Sequence, residues 1–284
     1  MSIIPVRHIQ KIAQPTLEFN IRSLAEVMDG RTMLQSLHRH SFFFVLALEN
    51  GSGEHSIDFV SYPVNKHTIF FMRPAQVHQL KLEIDCKGYL MEFSSDFYAP
   101  SEESTKRLFR KISSKNHYSG HPEKFRSLIG ILSNISLEYI NKEDGYSAII
   151  KSNLDIFCTI LNRYNPASID PLATSSNYYA ERLEELKELL QLHFQSFKKV
   201  TDYAGFMNLS VYQLNTVTKT TLKKSCSVVI ADFIILEAKR LLLASNVQIS
   251  QLSWCLGYDD VSYFIRFFKR HAGYSPEAFR RSFQ

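Results

Sequence analysis

Hydrophobic and polar residues alternate through residues 33–98, the period of two that places every second side chain on one face of a strand. Turn-forming residues interrupt the alternation at 50–53, 62–66 and 73–75. The segments between them predict short strands at 42–48, 54–60, 67–72, 77–84 and 89–93. Short strands at this spacing are typical of a β-sandwich or small barrel.

The hydrophobic period changes to that of helices after Glu102. Helices are predicted at 106–112, 125–140 and 146–164, and the last two form a pair that either docks on its own β domain or meets a second copy. Residues 165–177 are rich in Pro, Ser, Ala and Thr, which favours a linker. We therefore predict an N-terminal domain at 1–165, a linker at 166–178 and a C-terminal domain at 179–284 that opens with a helix at 181–194.

The last 36 residues have the form helix, glycine turn, basic helix and Ser-Pro restart. Ile249, Leu252 and Leu256 share one apolar face, and Gly257 follows where a chain leaving a helix often needs a positive φ. Asp259 or Asp260 can cap the next helix. That helix places Phe264, Phe267 and Phe268 inward and its basic residues outward. A tight turn between a short helix and a basic helix predicts a helix-turn-helix, whose second helix enters the DNA major groove.

The residues from Gly257 to Arg280 read Gly-aromatic-x-Asp-x-Ser-x-Phe-x-Arg-x-Phe-Lys-Arg-x-x-Gly-x-Ser-Pro-x-x-Phe-Arg. This pattern resembles the second helix-turn-helix of AraC/XylS-type transcription regulators almost position for position. The resemblance implies a DNA-binding regulator with two such motifs and a cupin-like N-terminal domain. The expected fold class is therefore α+β, with an N-terminal cupin-like β-sandwich or barrel carrying helices and an all-α C-terminal domain.

A second helix-turn-helix lies upstream, with a first helix at 200–207 and a recognition helix at 211–222 capped by Ser210. Between the motifs, 227–244 resembles the family's linker helix with its Ala-x-x-Leu-Leu core. Eighteen residues at 1.5 Å each span about 27 Å. Two motifs held that far apart can reach successive major grooves on one face of DNA, which repeat every ~34 Å.

The chain departs from the family pattern in the upstream motif. Thr216 stands where the recognition helix usually carries a basic residue, and Lys223 stands where a glycine usually ends that helix. Phe233 or Ile234 replaces the arginine before the linker's alanine. The second motif is therefore expected to carry more of the base readout. The predicted DNA-contacting residues are Tyr212, Gln213, Asn215, Thr216, Lys219, Val261, Ser262, Tyr263, Arg266, Lys269 and Arg270.

Composition predicts a cytoplasmic location and places the excess of positive charge in the last third of the chain. Net charge is +5, and residues 201–284 hold ten Lys and Arg against six Asp and Glu, an excess of four that suits attraction to phosphate. The four cysteines form no C-x-x-C pair and no zinc pattern, which favours reduced thiols in a cytoplasmic protein. The apolar run at 42–48 is too short to span a bilayer, and residues 1–14 lack the apolar segment of a signal peptide.

Histidines mark a candidate site in the N-terminal half. The pair His38 and His40 and the later His78 resemble the His-x-His and single His of the family's cupin-like sensory domain. His55 is a further candidate, and Arg39 and Arg73 could pair with an anionic effector or form surface salt bridges. Because phenylalanines and Val45 stand where a metal-binding cupin places its glutamate, we predict no metal and no cofactor. We expect histidines that hydrogen-bond across the domain or line a pocket for an organic ligand.

The resemblance implies a non-enzymatic transcription regulator, expected to be an activator, that binds double-stranded promoter or operator DNA as a homodimer, works with RNA polymerase and responds to a small-molecule effector. The implied coupling is allosteric and runs through the linker. Three alternatives stay open from sequence alone. They are a dimerising regulator without a ligand, a metal-dependent cupin enzyme fused to a DNA-binding domain, and an interaction protein that does not bind DNA.

Overall fold

The computed structural model describes residues 5–7, 18–100, 102–120, 122–164, 174–244 and 247–283. These residues divide into two compact units, one within 5–169 and the other within 170–284. The first is a pair of β-sheets with helices, and the second is helical throughout its described residues. The predicted α+β class, with a β-rich domain preceding a helical one, is confirmed.

Two five-stranded sheets form the first unit. One sheet has the order β1-β3-β8-β5-β6, in which these strands are Val6–Arg7, Met33–His40, Val77–Leu82, Gly53–Ile57 and Val60–Val64. The other has the order β10-β7-β4-β9-β2, in which these are His117–Ser119, Thr68–Met72, Phe43–Asn50, Lys87–Phe93 and Phe19–Ser23. Apart from the parallel pair of β1 and β3, the strands pair antiparallel.

The central strand β4 is buried on both faces. Phe44, Leu46 and Leu48 belong to a core shared with strands of the first sheet, whereas Val45 and Ala47 belong to a second core shared with helices. Burial on both faces explains why this strand reads as a nearly continuous apolar run rather than as a simple alternation.

One predicted strand, at 54–60, is instead a hairpin. Strand β5 ends at Ile57, and Asp58 and Phe59 turn the chain with φ of 49° and 69° into β6. The Asp58 carboxylate accepts hydrogen bonds from Val77 N at 3.2 Å and Gln76 Nε2 at 2.6 Å. The prediction missed this turn because phenylalanine is an unusual residue at positive φ, and a tertiary contact holds it there.

The helices of this unit are α1 Leu24–Met28, α2 Glu103–Ser113, α3 Pro122–Asn141 and α4 Tyr146–Tyr164. Helices α2, α3 and α4 cover the second sheet, with residues such as Leu128, Leu132 and Phe157 fully buried in the shared core. Tyr164 Oη donates to His67 O at 2.8 Å, which ties α4 to the start of β7. The helical pair therefore docks on its own β domain, while the apolar side chains Leu137, Ile140, Ile149 and Ile156 stay exposed on it.

The helices of the second unit are α5 Thr174–His193, α6 Val200–Phe206, α7 Val211–Leu222, α8 Cys226–Ala244, α9 Ile249–Cys255, α10 Val261–Ala272 and α11 Pro276–Arg281. Helix α5 begins at Thr174, so the last five residues of the predicted linker, 174–178, are helical. Residues 166–173 of that linker lie outside the described residues. Helix α8 buries eleven of its nineteen side chains and forms the centre of the unit.

Candidate functional site

In the turn between α9 and α10, the backbone after the glycine comes close to the backbone of α9. Gly257 has φ of +71°, and Tyr258 N donates to Ser253 O at 2.9 Å across the turn. Asp260 then caps α10, its carboxylate accepting from Ser262 N at 2.7 Å and Tyr263 N at 3.1 Å. Both the glycine turn and the aspartate cap stand where the sequence predicted them.

Helix α10 has one buried face and one exposed face. Phe264 and Phe268 are fully buried, whereas Phe267 is half-buried against Tyr258, with ring centroids 5.6 Å apart. Five of the six predicted DNA-contacting residues of this motif are exposed, namely Ser262, Tyr263, Arg266, Lys269 and Arg270, and Val261 is half-buried. The Arg266 side chain is 69% exposed and lies 4.0 Å from the Asp260 carboxylate, so its guanidinium is available to a ligand.

The upstream motif uses its polar side chains differently. Gln213 Oε1 accepts from Ser210 N at 2.8 Å, which completes a capping box at the start of α7. Asn215 Oδ1 accepts from Cys226 N at 3.1 Å, so it caps the start of α8, and its Nδ2 donates to Val211 O. Thr216 Oγ1 donates to the backbone of its own helix, at Tyr212 O.

Of the five predicted DNA contacts on α7, three make hydrogen bonds within the chain and the other two are exposed. Tyr212 is 82% exposed and Lys219 is exposed, while the other three predicted contacts already have hydrogen-bond partners within the chain. Helix α7 ends at Lys223, which adopts φ of 58° in the place of the family's usual glycine. A lysine in this region carries a cost of about 1–2 kcal/mol that a glycine would not.

Lys198 connects the two motifs, a role that the sequence did not predict. Its Nζ donates to Gln195 O at 2.8 Å, before α6, and to Gly257 O at 2.7 Å, in the turn between α9 and α10. The ammonium lies 4.7 Å from the Tyr258 ring centroid. Burial lowers the pKa of Lys198, and Asp259 partly offsets that shift. The contact with Gly257, 59 residues further along the chain, defines this role.

A cluster of four buried histidines lies in the first sheet of the β-rich unit. His38 and His78 are paired across β3 and β8, and His40 lies on the same face of β3 as the period-two rule predicted. His40 Nε2 is 2.7 Å from His78 Nε2, and His55 Nε2 is 2.8 Å from His78 Nδ1. His38 Nδ1 is 2.7 Å from Ser36 O. The structure thus places His55, the further candidate from the sequence, in contact with His78 of the predicted trio.

These histidines are neutral near pH 7. Desolvation by burial is the largest cause, and it lowers the pKa of His38 to about 4 and those of His40 and His55 to about 3. The pKa of His78 is also well below its usual value, mainly through burial and the neighbouring histidines. His38 Nε2, His40 Nδ1 and His55 Nδ1 are buried without a hydrogen-bond partner, and each such group costs about 1–3 kcal/mol.

The two predicted arginines lie outside this ring of contacts. Arg39 is half-buried on β3 between His38 and His40, so its side chain leaves the opposite face of the strand, and its Nε is buried without a partner. Arg73 is half-buried in the turn before β8, where its backbone N donates to Gln76 Oε1 at 2.7 Å. The predicted pairing of both guanidinium groups with an anion stays a prediction.

Two family models match the chain. Residues 29–154 match the model of an AraC-like ligand-binding domain, and residues 203–282 match that of a helix-turn-helix domain. YfiF of Bacillus subtilis (strain 168), described as an uncharacterized HTH-type transcriptional regulator, is 24% identical over 96% of this chain and 87% of that protein. None of the described helices combines the length and apolarity needed to cross a membrane.

Solved structures are similar over one or both units. The C-terminal domain of AraT, a response regulator from Geobacillus stearothermophilus, is 29% identical over 36% of this chain and 84% of that chain, with a TM-score of 0.34. ToxT from Vibrio cholerae O395 is 14% identical over 92% of this chain and 96% of that chain, with a TM-score of 0.41.

Proposed function

Because the chain belongs to the AraC/XylS family of transcription regulators, we propose that α7 and α10 enter successive major grooves of one operator and that α10 supplies most of the base contacts. The chain carries a helix-turn-helix DNA-binding domain behind an AraC-like ligand-binding domain. The nineteen residues of α8 span about 28 Å, which suits two grooves ~34 Å apart.

The observation that carries the proposal is the difference between the two exposed faces. On α10 a guanidinium, a hydroxyl, an aromatic ring and two further cations face outward, and Arg266 can bond both acceptors of a guanine edge. On α7 the side chains of Gln213 and Asn215 hold helix ends in place. We therefore propose Tyr212 and Lys219 as the contacts made by α7, with Lys219 bound to phosphate.

The test begins with a selection of binding sites by the purified full-length chain from a random DNA library. On the selected site, Arg266→Ala should raise Kd about 5–150-fold, the equivalent of roughly 1–3 kcal/mol, and should relax preference at one base pair. Arg281→Ala is the matched control, since Arg281 is also exposed on the second unit but lies on α11. It should preserve the base preference.

Two results would contradict this assignment. If Arg266→Ala keeps both affinity and base preference, Arg266 is not the reader. If Tyr212→Ala relaxes more base positions than Arg266→Ala, the upstream motif carries the readout. Lys269→Ala separates phosphate from base contacts, because losing one phosphate contact weakens binding evenly across sequences and lowers the salt slope by about one.

We further propose that the β-rich unit binds a small effector, with the buried His38, His40 and His78 on one face of the first sheet as the candidate contacts. Arg39 and Arg73, which lie outside that cluster, stay candidates for pairing with an anionic group of the effector. The matching ligand-binding model over residues 29–154 supports a sensory role. The proposed regulator is a cytoplasmic, non-enzymatic activator that contacts RNA polymerase. Transcription from the selected operator with purified RNA polymerase tests this role, and repression by the added chain would contradict it.

Homodimerisation is proposed through the exposed apolar face of α3 and α4. Leu137, Ile140, Ile149 and Ile156 are each more than two-fifths exposed, although the opposite faces of both helices are buried. The molar mass of the wild-type chain by light scattering should be that of a dimer, and Ile140→Lys should shift it toward the monomer. A monomeric wild-type chain would contradict the proposal.

A further inference from the structure

The four histidines of the β-rich unit have a hydrogen-bonding problem that their own protons do not solve. Each neutral imidazole carries one N–H and one bare nitrogen. The rings of His40, His78 and His55 form two hydrogen bonds in series, which use two of their three protons. The third proton must lie on His40 Nδ1 or His55 Nδ1, and both of these nitrogens are buried without a partner.

His38 has a bare nitrogen in a defined position. The carbonyl oxygen of Ser36 can only accept, so the proton of His38 lies on Nδ1 and the Nε2 lone pair is free. That Nε2 is buried and has no partner among the described residues. The Nε2 atom of His38 is thus a buried acceptor without a donor. It lies beside the rings of His40 and His78, whose Nε2 atoms are 2.7 Å apart and share one proton. This arrangement of nitrogen lone pairs suits a bound cation better than a further hydrogen bond.

We infer that His38, His40 and His78 form a binding site for one divalent transition-metal ion. Their ligand atoms already lie within 4.8 Å of one another. A tetrahedral zinc site with Zn–N bonds of ~2.0–2.1 Å needs ligand nitrogens about 3.4 Å apart. The rings must therefore move by about 1.4 Å or less relative to one another.

The proton positions needed for metal binding follow from the neighbours. His78 donates from Nδ1 to His55 Nε2 and His38 donates from Nδ1 to Ser36 O, so each directs a bare Nε2 toward the ion. An N–H donated to an outer acceptor is the usual way that proteins orient a histidine ligand. His55 is thus a positioning residue. The Nδ1 protons of His40 and His55 stay without a partner in this arrangement.

The donor set also selects the ion. Three imidazoles without a carboxylate suit Zn²⁺, Co²⁺, Ni²⁺ or Cu²⁺ and do not suit Mg²⁺ or Ca²⁺, which need oxygen ligands. The sequence predicted no metal because the cupin glutamate is absent. The proposed site departs from that prediction, since a trio of neutral histidines is sufficient when an open position takes water or an anion from solution.

The proposed metal site lies in the ligand-binding unit. Its geometry stands by itself, and only a sensory role for the bound ion rests on the proposed function. The test uses the full-length chain, stripped with a chelator and titrated with Co²⁺. One Co²⁺ per chain should bind, with visible absorption bands of a site that has fewer than six ligands. Zn²⁺ should displace it, because Zn²⁺ has no geometric preference from its d electrons and so loses no ligand-field stabilisation in a tetrahedral site, and excess Mg²⁺ should not.

Variants locate the site. His38→Gln, His40→Gln and His78→Gln should each weaken Co²⁺ binding by at least the ~10–100-fold that an outer-shell change costs. His55→Leu should cost about 10–100-fold, whereas His55→Gln should cost less because its amide oxygen can still accept from His78. The exposed His271→Gln, on α10, is the control and should bind like wild type.

No saturable Co²⁺ binding by the folded wild-type chain, or binding that survives the three ligand substitutions, overturns the inference. If those variants do not fold, the wild-type chain still decides it, because Zn²⁺ must raise the melting temperature of the β-rich unit relative to the chelator-treated chain. DNA binding by the metal-free chain is measured separately. A failure of metal binding with DNA binding intact therefore refutes this inference alone, and loss of DNA binding refutes only the proposed function.

Discussion

Replacing Gly257 with alanine tests how the second helix-turn-helix is held in place. A Cβ at this position would lie 1.7 Å from Gln195 O and 2.8 Å from Lys198 Nζ. Gly273, at the end of α10, offers a matched control in the same motif. Its φ is +87°, close to the +71° of Gly257, but an added Cβ would meet nothing within 4 Å.

The expected difference follows from these contacts. Both alanine variants carry the cost of the left-handed region, about 1–2 kcal/mol. At position 257 the Gln195 carbonyl must also retreat by about 1.7 Å to reach the 3.4 Å of ordinary contact. That shift breaks or weakens the two bonds of Lys198, each worth about 1.5–3 kcal/mol as a bond to a charged group. Gly257→Ala should therefore cost about 2–3 kcal/mol more than Gly273→Ala.

Urea and thermal unfolding measure this difference. Trp254 is the single tryptophan of the chain and lies on α9, three residues before Gly257, so its fluorescence reports the motif. An excess of ~2–3 kcal/mol should lower Tm by roughly 10 °C or more in a unit of this size. Lys198→Met removes only the bridge and should fall between the two glycine variants. Equal losses for both glycine variants would refute the close approach of the Gln195 carbonyl to this turn.

Three further predictions concern the described contacts. Asp260→Ala should lower the free energy of unfolding by about 0.5–2 kcal/mol, while Asp260→Ser keeps the cap and most of the stability. Asn215→Ala should cost about 1 kcal/mol because it removes the acceptor for Cys226 N, and a change of base preference without a loss of stability would contradict the capping role. Native protein should take up one equivalent of maleimide quickly, at the exposed Cys255, since the other three thiols are buried and burial raises the pKa of Cys158 to about 12 and of Cys226 to about 11. A Cys255→Ser chain that still labels quickly would show that a buried thiol opens to solvent.

Several local features could be predicted from the sequence because they depend on residues within one or two helical turns. The glycine turn, the Asp260 cap and the buried Phe264 and Phe268 of α10 are set by helical spacing and by residues adjacent to the turn. The Ser210 cap of α7 is another such feature. The hairpin at Asp58 and Phe59 was missed, because its turn depends on bonds to Gln76 and Val77 from another strand.

In the candidate DNA interface, too, the sequence predicts local features but not tertiary contacts. Exposure of Arg266 follows from its place in the helical repeat, so the sequence was sufficient to predict it. Asn215 also faces outward by that repeat, but the backbone of α8 lies within hydrogen-bond distance and its amide serves as a cap. A side chain that sequence spacing assigns to DNA can therefore be engaged within the fold.

The sequence by itself determined that a β-rich half precedes a helical one, the two helix-turn-helix motifs, the basic face of α10 and the shared strand face of His38 and His40. These features depend on residues that are adjacent or regularly spaced along the sequence. The backbone geometry of a helix or strand therefore fixes them wherever the element packs. Only the tertiary structure brought His55 and His78 to His38 and His40, and Lys198 to Gly257. Those contacts join residues 23 to 59 positions apart, and their distances depend on how strands and helices pack rather than on any local pattern.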